Sequence, residues 1–201
     1  DCSKKIRRNI MKNQIKEYIN QSISTKNRLI DDAELISGIE ELSMKCLDSL
    51  NDGGKIILAG NGGSFGDAQH ISAEFTSRFL FDREPLASMA LATNNSAVTA
   101  IGNDYGYKYI FSRELKSIGN SNDIFIPITT SGNSENIIEA IKVANSIGIY
   151  TTCLTGNNGG KINDLCKTII VPSKATERIQ ECHILIGHII CAIVEAEYFG
   201  R

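Results

Sequence analysis

Apolar residues recur every three or four positions through the first fifty residues, in one run from Ile6 to Ile23 and another from Ala33 to Leu50. This period predicts two amphipathic helices. Asp52 and the two glycines that follow it predict the end of the second helix. Neither run shows the alternation of a strand, so the chain is expected to begin with helices.

The pattern changes after residue 54. Short apolar runs occur at 55–60, 87–92, 123–129, 149–154 and 167–172, separated mostly by segments with helical spacing or helix-end signals, such as 134–147. Apolar runs of this length are typical of strands buried on both faces. Their alternation with helices predicts an α/β fold, a parallel sheet of about five strands flanked by helices with right-handed crossovers.

The last predicted element is a helix over about residues 176–199 that is apolar nearly all round. Such a helix requires burial on most sides, which a chain of 201 residues rarely offers to its C-terminal element. We therefore expect a homo-oligomer with this helix at a subunit interface. We expect one domain, in which residues 1–52 form an N-terminal helical extension and part of that interface and residues 53–201 form the α/β unit.

Composition and charge narrow the function classes. The chain is 42% hydrophobic and 22% charged, with a net charge of −2, so it is expected to be globular and not to bind nucleic acid. The sequence predicts no membrane-spanning segment and no signal peptide, and hence a cytoplasmic protein. Six cysteines without a C-x-x-C pair predict reduced, mostly buried thiols.

A glycine-rich loop follows the first predicted strand, at Asn61, Gly62, Gly63 and Ser64. Its glycines let the backbone approach a ligand, and the helix that follows offers unpaired N–H groups. Phe65 stands where a G-x-G-x-x-G motif needs its third glycine, and no G-x-x-x-x-G-K-[ST] occurs, so no nucleotide cofactor is expected. A plain tight turn remains the alternative.

A hydroxyl-rich loop, TTSGNS, follows the third predicted strand and opens a helix. Its hydroxyls, together with a helix N-terminus, suit a phosphate dianion without a lysine. The alternative is simple helix capping by Ser131 or Ser134. Because ligands bind beyond the carboxyl ends of parallel strands, both loops are expected to face one crevice.

All three histidines lie in two predicted helices. His70 and Glu74 are four residues apart and share one helical face, where they could bind a metal ion or form a proton network. A solvated pair is the alternative. The closing helix adds Gln180, His183 and His188 to an otherwise apolar surface, where an unpaired imidazole would be costly. For each of the three histidines, a satisfied interior histidine is the default interpretation.

Four motifs then occur in order over nearly the whole chain: GNGGSFGDAQHISAEF, GND at 102–104, TTSGNS, and RIQECHILIGH at 178–188. Together they resemble the sugar isomerase (SIS) domain family, and most closely its members that isomerise heptose phosphates. The resemblance implies a flavodoxin-like three-layer fold, a homotetramer, and conversion of sedoheptulose 7-phosphate to D-glycero-D-manno-heptose 7-phosphate for bacterial lipopolysaccharide or capsule.

The resemblance also implies roles for individual residues. Glu74 matches the catalytic base and His188 the catalytic acid. Zinc would be bound by His70, Glu74, Gln180 and His188. Substrate contacts fall on Asn61, Gly62, Gly63, Ser64, Glu74, Arg78, Asn103, Asp104, Thr129, Thr130, Ser131, Ser134 and Gln180. The chain departs from the family at Thr129, where relatives have serine, and at Glu177, where they have aspartate.

Helix geometry adds an expectation about the assembly. Gln180 and His188 are separated by about 12 Å of rise and about 80° of rotation on an ideal helix. They reach a common metal only if the helix is distorted or if one comes from a neighbouring subunit. We therefore expect a composite active site at a subunit interface. If Glu74 and His188 come from different chains, mixing subunits that lack Glu74 with subunits that lack His188 should restore some activity.

Two alternative functions remain open. One is a non-catalytic SIS protein of the replication-initiator-binding type, which keeps the glycine and hydroxyl loops but lacks the acidic catalyst. The other is an isomerase of a different sugar phosphate. The presence of both Glu74 and His188 favours an enzyme.

Overall fold

Five parallel strands form one sheet in the computed structural model, which describes residues 2–201. The strands are β1 (Ile56–Gly60), β2 (Ser88–Ala90), β3 (Ile124–Thr129), β4 (Tyr150–Gly156) and β5 (Lys167–Val171). The helices are α1 (Cys2–Ile30), α2 (Ala33–Asn51), α3 (Gly63–Thr76), α4 (Asn95–Asp104), α5 (Ile110–Ile118), α6 (Glu135–Ile147) and α7 (Thr176–Phe199). All five strand predictions are confirmed to within two residues at each end. The strand β2 is the shortest and lies inside its predicted run.

The order of the strands places a topological switch point in the middle of the sheet. The order is β2-β1-β3-β4-β5 with every pair parallel. From β1 the chain goes to β2 at one edge of the sheet and then returns past β1 to β3. From β3 it continues through β4 to β5 at the other edge. The carboxyl ends of β1 and β3 lie side by side, with Gly60 paired with Ile128. A crevice is expected outside this point in an open parallel sheet.

Two apolar cores cover the two faces of the sheet, which confirms the three-layer arrangement. On one face α2, α3 and α7 bury side chains such as Leu42, Phe75 and Ile186 against the sheet. On the other face α5 and α6 bury Phe111 and Ile141. Helix α2, which belongs to the predicted N-terminal extension, thus contributes to the same core as the sheet.

The ends of α2 show how local sequence sets its bounds. Asp32 stands at the N-cap, and its side chain accepts a hydrogen bond from the backbone N–H of Leu35 at 3.0 Å. Its C-terminal end is followed by Gly53, which adopts a φ of +75° that favours glycine. The sequence pattern predicts no particular helix between the second and third strands. There the structure has the short helices α4 and α5, joined by a single 3-10 turn at Tyr107–Tyr109.

Helix α7 is long and apolar, and the structure shows what covers part of it. Its most apolar 18 residues have a mean hydropathy of 1.5, so by length and composition this helix could cross a membrane. It nevertheless packs against α2 and α3, and it carries the wholly buried carboxylate of Glu195. These contacts are those of a core helix in a globular domain, although Ile189 and Ile193 on its outer face remain more than a third exposed.

The cysteines behave as predicted in the part of the chain whose side chains are described. Cys46, Cys153, Cys182 and Cys191 are buried free thiols and Cys166 is half-buried. Burial raises the pKa of each of these thiols above its ordinary value. Cys2 lies outside the described side chains.

Candidate active site

A pair of asparagine amides joins the two predicted ligand loops at the switch point. Asn61 follows β1, and Asn136 lies in the first turn of α6, where it is 3% exposed. The Nδ2 of Asn61 donates to Oδ1 of Asn136 at 2.9 Å, and Nδ2 of Asn136 donates back to Oδ1 of Asn61 at 2.8 Å. The hydroxyl of Tyr107 donates to the same Asn61 oxygen at 3.0 Å. The starts of the two loops therefore lie side by side at the carboxyl ends of β1 and β3.

The glycine loop depends on backbone freedom at Gly62 and on close packing at Gly63. Gly62 has φ +57° and ψ −119° at the N-cap of α3, a conformation that L side chains rarely adopt. A Cβ on Gly63 would lie 2.5 Å from Nε2 of Gln180, so the amide of Gln180 packs against the start of α3. Ser64 is 3% exposed and packs under Gly60. The side chain of Ser64, one of the predicted substrate contacts, is therefore buried beneath the loop.

The hydroxyl loop is held by its own side chains. Oγ1 of Thr129 and Oγ of Ser134 are 3.1 Å apart, and Oγ of Ser131 accepts the backbone N–H of Asn133 at 3.2 Å. Ser134 occupies the N-cap position of α6, but its side chain makes no capping hydrogen bond. The alternative of simple capping by the Ser134 side chain is thus wrong, and its hydroxyl points to Thr129 instead. Thr130, between them, is half-buried.

A second cluster lies along α3 and α7. Nε2 of His70 is 2.9 Å from Oε1 of Glu74 and 3.2 Å from Nε2 of His188. The ring of Phe79 stacks on the ring of His188 with centroids 5.4 Å apart and an interplanar angle of 23°. The sequence-predicted base and acid therefore meet within one chain.

The donor atoms of this cluster fit a bound cation. The ligating atoms of His70, Glu74 and His188 lie within 4.8 Å of one another. Two imidazole nitrogens facing each other at 3.2 Å need either a proton between them or a shared cation. Two imidazoles and one carboxylate are also the ligand types that catalytic zinc uses, with a further position left for water or substrate.

Gln180, the fourth predicted metal ligand, is not part of this cluster in the chain. It packs at Gly63, and the seven residues of α3 between Gly63 and His70 correspond to about 10 Å of rise. This separation agrees with the geometric expectation from the sequence. The sequence left open which subunit supplies His188, and the structure brings the side chains of Glu74 and His188 together within one chain. Mixing subunits that lack one or the other should therefore not restore a site.

The remaining predicted residues lie outside the cluster. Arg78 is exposed just beyond the end of α3. Asn103 and Asp104 are exposed at the end of α4, where Nδ2 of Asn103 donates to Oδ1 of Asp104 at 2.8 Å. His183 is fully buried, and its Nε2 lies 3.1 Å from the backbone oxygen of Thr155. It is the interior histidine that the sequence allowed for, but only its Nε2 is satisfied, because its buried Nδ1 has no hydrogen-bond partner among the described residues.

Three residues of the site were not predicted from the sequence: Asn136, Tyr107 and Phe79. Each contacts a predicted residue only through the fold. Asp67, one turn before His70, was not predicted as a site residue either. Burial raises the pKa of its carboxyl, although the nearby His70 imidazole acts in the opposite direction. The only sequence signal for Asn136 is an amide two residues after the hydroxyl loop, which is too common to single out.

Comparison with known proteins places these features in a family. The chain matches the SIS domain model over residues 17–156. It is 53% identical to a phosphoheptose isomerase from Aneurinibacillus thermoaerophilus over 190 residues, 94% of this chain and 96% of that protein. It is 50% identical to phosphoheptose isomerase 2 from Campylobacter jejuni subsp. jejuni over 188 residues, 93% and 94% of the two chains.

The fold has a similar counterpart among solved structures. The structure of phosphoheptose isomerase GmhA from Neisseria gonorrhoeae superposes with a TM-score of 0.87 and 38% identity, covering 92% of this chain and 99% of that one. The match in sequence over nearly the whole chain and the match in fold together show that this chain belongs to the SIS domain family and, within it, to the phosphoheptose isomerases.

Proposed function

We propose that this chain is an aldose–ketose isomerase that converts sedoheptulose 7-phosphate to D-glycero-D-manno-heptose 7-phosphate through an enediol. One observation carries the proposal. The Glu74 carboxylate and the His188 imidazole meet at His70 within one chain, in a protein about half identical to phosphoheptose isomerases.

The reaction moves one proton between adjacent carbons and another between the two oxygens. Glu74 removes the proton from C1 of the open-chain ketose and returns it to C2. His188 transfers the proton between O1 and O2. His70 contacts Oε1 of Glu74, which leaves the second carboxylate oxygen for the carbon-bound proton.

The two loops at the switch point bind the sugar phosphate. The hydroxyls of Thr129, Thr130, Ser131 and Ser134 donate to the phosphate, and the N-terminus of α6 adds its dipole. The side chain of Asn61, fixed by Asn136, orients the sugar beside them. Asn103, Asp104 and Arg78 contribute polar contacts around the substrate.

Zinc is the metal that the cluster suits best. His70, Glu74 and His188 would hold it, with Gln180 of a neighbouring subunit as a fourth ligand. Glu74 and His188 would then transfer protons through the carboxylate oxygen and the ring nitrogen that do not bind the metal. When bound, zinc supplies Lewis acidity to the oxygens of the reacting carbons. The assembly is a cytoplasmic homotetramer with composite active sites, and its product enters heptose synthesis for lipopolysaccharide or capsule.

The decisive experiment incubates the purified protein with sedoheptulose 7-phosphate and measures the aldose product. Glu74→Gln should reduce turnover by about 100-fold to 10,000-fold while retaining substrate binding, because loss of a general base removes that much catalysis. Glu40→Gln, an exposed carboxylate on α2, is the matched control and should leave turnover unchanged.

Three outcomes separate the alternatives. No aldose from the folded wild-type protein would favour the non-catalytic SIS role. Faster turnover of a five- or six-carbon ketose phosphate would favour a different isomerase. Isomerisation by Glu74→Gln at the wild-type rate would show that the base is another residue.

A further inference from the structure

Helix α7 buries a carboxylate two turns beyond His188. Glu195 is fully buried, on a helix that is otherwise mostly apolar. Seven residues on an α-helix complete nearly two turns, so His188 and Glu195 lie on the same side of α7. That side faces α3 and the segment that follows it.

The Glu195 carboxylate gathers the segment that leaves α3. Its Oε1 accepts the backbone N–H of Phe79 at 2.9 Å, and its Oε2 accepts that of Leu80 at 2.7 Å. Nε of Arg83 donates to Oε1 at 2.9 Å, with 2% of the Arg83 side chain exposed. Two backbone amides and one buried guanidinium therefore converge on one carboxylate.

Arg83 extends this contact to the end of α3. Its Nη1 donates to the carbonyl oxygens of Phe75 at 2.7 Å and Ser77 at 3.0 Å. Its Nη2 donates to the carbonyl oxygen of Glu74 at 2.8 Å. The guanidinium thus fixes the backbone of the residue whose side chain is the proposed base.

Phe79 completes the link to the proposed acid. Its backbone N–H is bound by Glu195, and its ring stacks on the ring of His188. The ion pair consequently reaches both members of the acid–base pair, Glu74 through its carbonyl and His188 through the Phe79 ring.

Stability alone does not account for this arrangement. A buried ion pair pays a desolvation cost that often exceeds its Coulombic gain, and apolar replacements of similar volume are often neutral or stabilising. A leucine at position 195 would suit the apolar surroundings of α7. What an apolar pair would not provide is the set of directed hydrogen bonds to the backbone of Glu74 and Phe79.

We propose that Glu195, Arg83 and Phe79 are positioning residues that hold the Glu74 carboxylate and the His188 ring in register for proton transfer. This inference rests on the proposed isomerase function. Because the phosphate loops lie at the other end of α3, the three residues act on kcat and leave KM nearly unchanged. A residue that only stabilised the fold would lower the amount of active protein without changing either constant per active site.

The kinetic test uses paired variants at each position. Phe79→Leu should lower kcat by about 10-fold to 100-fold with KM within about twofold, since small misplacements of reacting groups cost that much. Phe79→Tyr keeps the stacked ring and should restore at least half of the wild-type kcat. Arg83→Met combined with Glu195→Leu keeps an apolar, folded core and should lower kcat as Phe79→Leu does.

A spectroscopic test works without activity. The chain has three histidines, so ¹³C,¹⁵N-histidine labelling gives few ring signals, which single substitutions assign. The Phe79 ring current should shift the His188 signals, Phe79→Leu should abolish that shift, and Phe79→Tyr should keep it. The Arg83→Met, Glu195→Leu double variant should move the His188 signals towards those of Phe79→Leu.

The outcomes distinguish this inference from the proposed function. A wild-type protein without isomerase activity would refute the proposed function, and the histidine spectra would still decide whether the ion pair positions the ring. An unchanged His188 spectrum in the double variant would overturn the inference. An active wild type with an unchanged kcat in the double variant, or with a KM that rises as much as kcat falls, would also overturn it.

Discussion

At the scale of single residues, burial decides which of the similar side chains take part in the site. His183 and His188 lie on the same helix five residues apart, yet His183 is wholly buried and His188 lies beside His70. Because the Thr155 carbonyl oxygen can only accept, Nε2 of His183 must carry the proton that it donates. Burial lowers the pKa of His183 to about 4, so this ring is neutral at physiological pH.

The first prediction concerns the pH dependence of stability. An unfolded histidine has a pKa near 6.5, so between about pH 6.5 and 4 the unfolded chain binds a proton at residue 183 that the folded chain does not. The free energy of unfolding should therefore fall as the pH falls through this window. The full loss is about 3 kcal/mol, because each unit of difference between the unfolded and the folded pKa corresponds to about 1.4 kcal/mol. His183→Gln should flatten that decline, as measured by thermal unfolding midpoints at fixed protein concentration. An equally steep decline in the variant would contradict the assignment.

The second prediction concerns the amide pair at the crevice. Asn136→Ala removes both hydrogen bonds that fix the Asn61 side chain. We expect KM for the sugar phosphate to rise roughly tenfold, corresponding to about 1.4 kcal/mol of binding free energy. Tyr107→Phe is the control, because it removes only an exposed hydroxyl from the same Asn61 oxygen and should change KM by less than twofold. Equal effects of the two changes would argue against a role for Asn136 in orienting Asn61.

At the scale of elements, the site depends on how closely α3 and α7 approach each other. Gly187 lies on α7, next to His188. In the structure a Cβ at this position would lie 2.3 Å from Cδ1 of Ile71 and 2.6 Å from its Cγ1. Ile71 is itself 2% exposed, so it has little room to move. The glycine therefore sets the distance between the helices that carry the acid and the base.

The third prediction tests this close contact. Gly187→Ala should destabilise the protein by about 1–3 kcal/mol, the usual cost of forcing extra volume into a packed core, and should lower kcat by separating Glu74 from His188. Gly66→Ala is the matched control, because nothing lies within 4 Å of the added Cβ on α3. Alanine there should be neutral or stabilising by up to about 1 kcal/mol. Thermal unfolding and steady-state kinetics measure both variants.

At the scale of the whole molecule, α1 exposes much of its apolar surface. Five of its apolar side chains are about half exposed: Ile10, Ile15, Tyr18, Ile19 and Ile23. Apolar side chains that are exposed together along one helix favour a covered surface, so we expect α1 to lie at a subunit interface. The outer face of α7 is partly exposed as well, which agrees with the expected oligomer.

The fourth prediction tests α1 as an interface. Ile15→Lys combined with Ile19→Lys places two charges in the apolar surface and should dissociate the assembly into smaller species. Asn13→Lys, on the opposite side of the helix, should leave it intact. Light scattering during gel filtration gives the masses as multiples of 22.0 kDa. A wild-type protein that is monomeric at micromolar concentration would contradict the expected oligomer.

The fifth prediction tests the composite site. Subunits carrying Glu74→Gln are co-refolded with subunits carrying Gln180→Ala, each inactive alone. If Gln180 acts in a neighbouring subunit, about a quarter of the sites in random mixed oligomers should be intact. A mixture of subunits carrying Glu74→Gln with subunits carrying His188→Ala should regain no activity, because the two side chains meet within one chain. Mixed oligomers without activity in the first pair would place the function of Gln180 within its own chain.

The order of elements and the two ligand loops follow directly from the sequence. The run 55–60 is apolar after Lys55, and every residue of β1 is buried. The two loops are rich in glycine and in hydroxyl side chains. Local chemistry is sufficient in these cases, because strand burial and loop flexibility are properties of consecutive residues. The helical positions of His70, Glu74 and His188 follow in the same way.

Only the tertiary structure decided which of these residues meet. The contacts of Asn61 with Asn136, of Phe79 with His188, and of Glu195 with Arg83 join residues 75, 109 and 112 positions apart. No local pattern records such distances, because they result from the strand order and from the parallel packing of α3 and α7. For the same reason, the sequence left open which subunit supplies His188, and the folded chain brings it to His70 and Glu74 of the same chain.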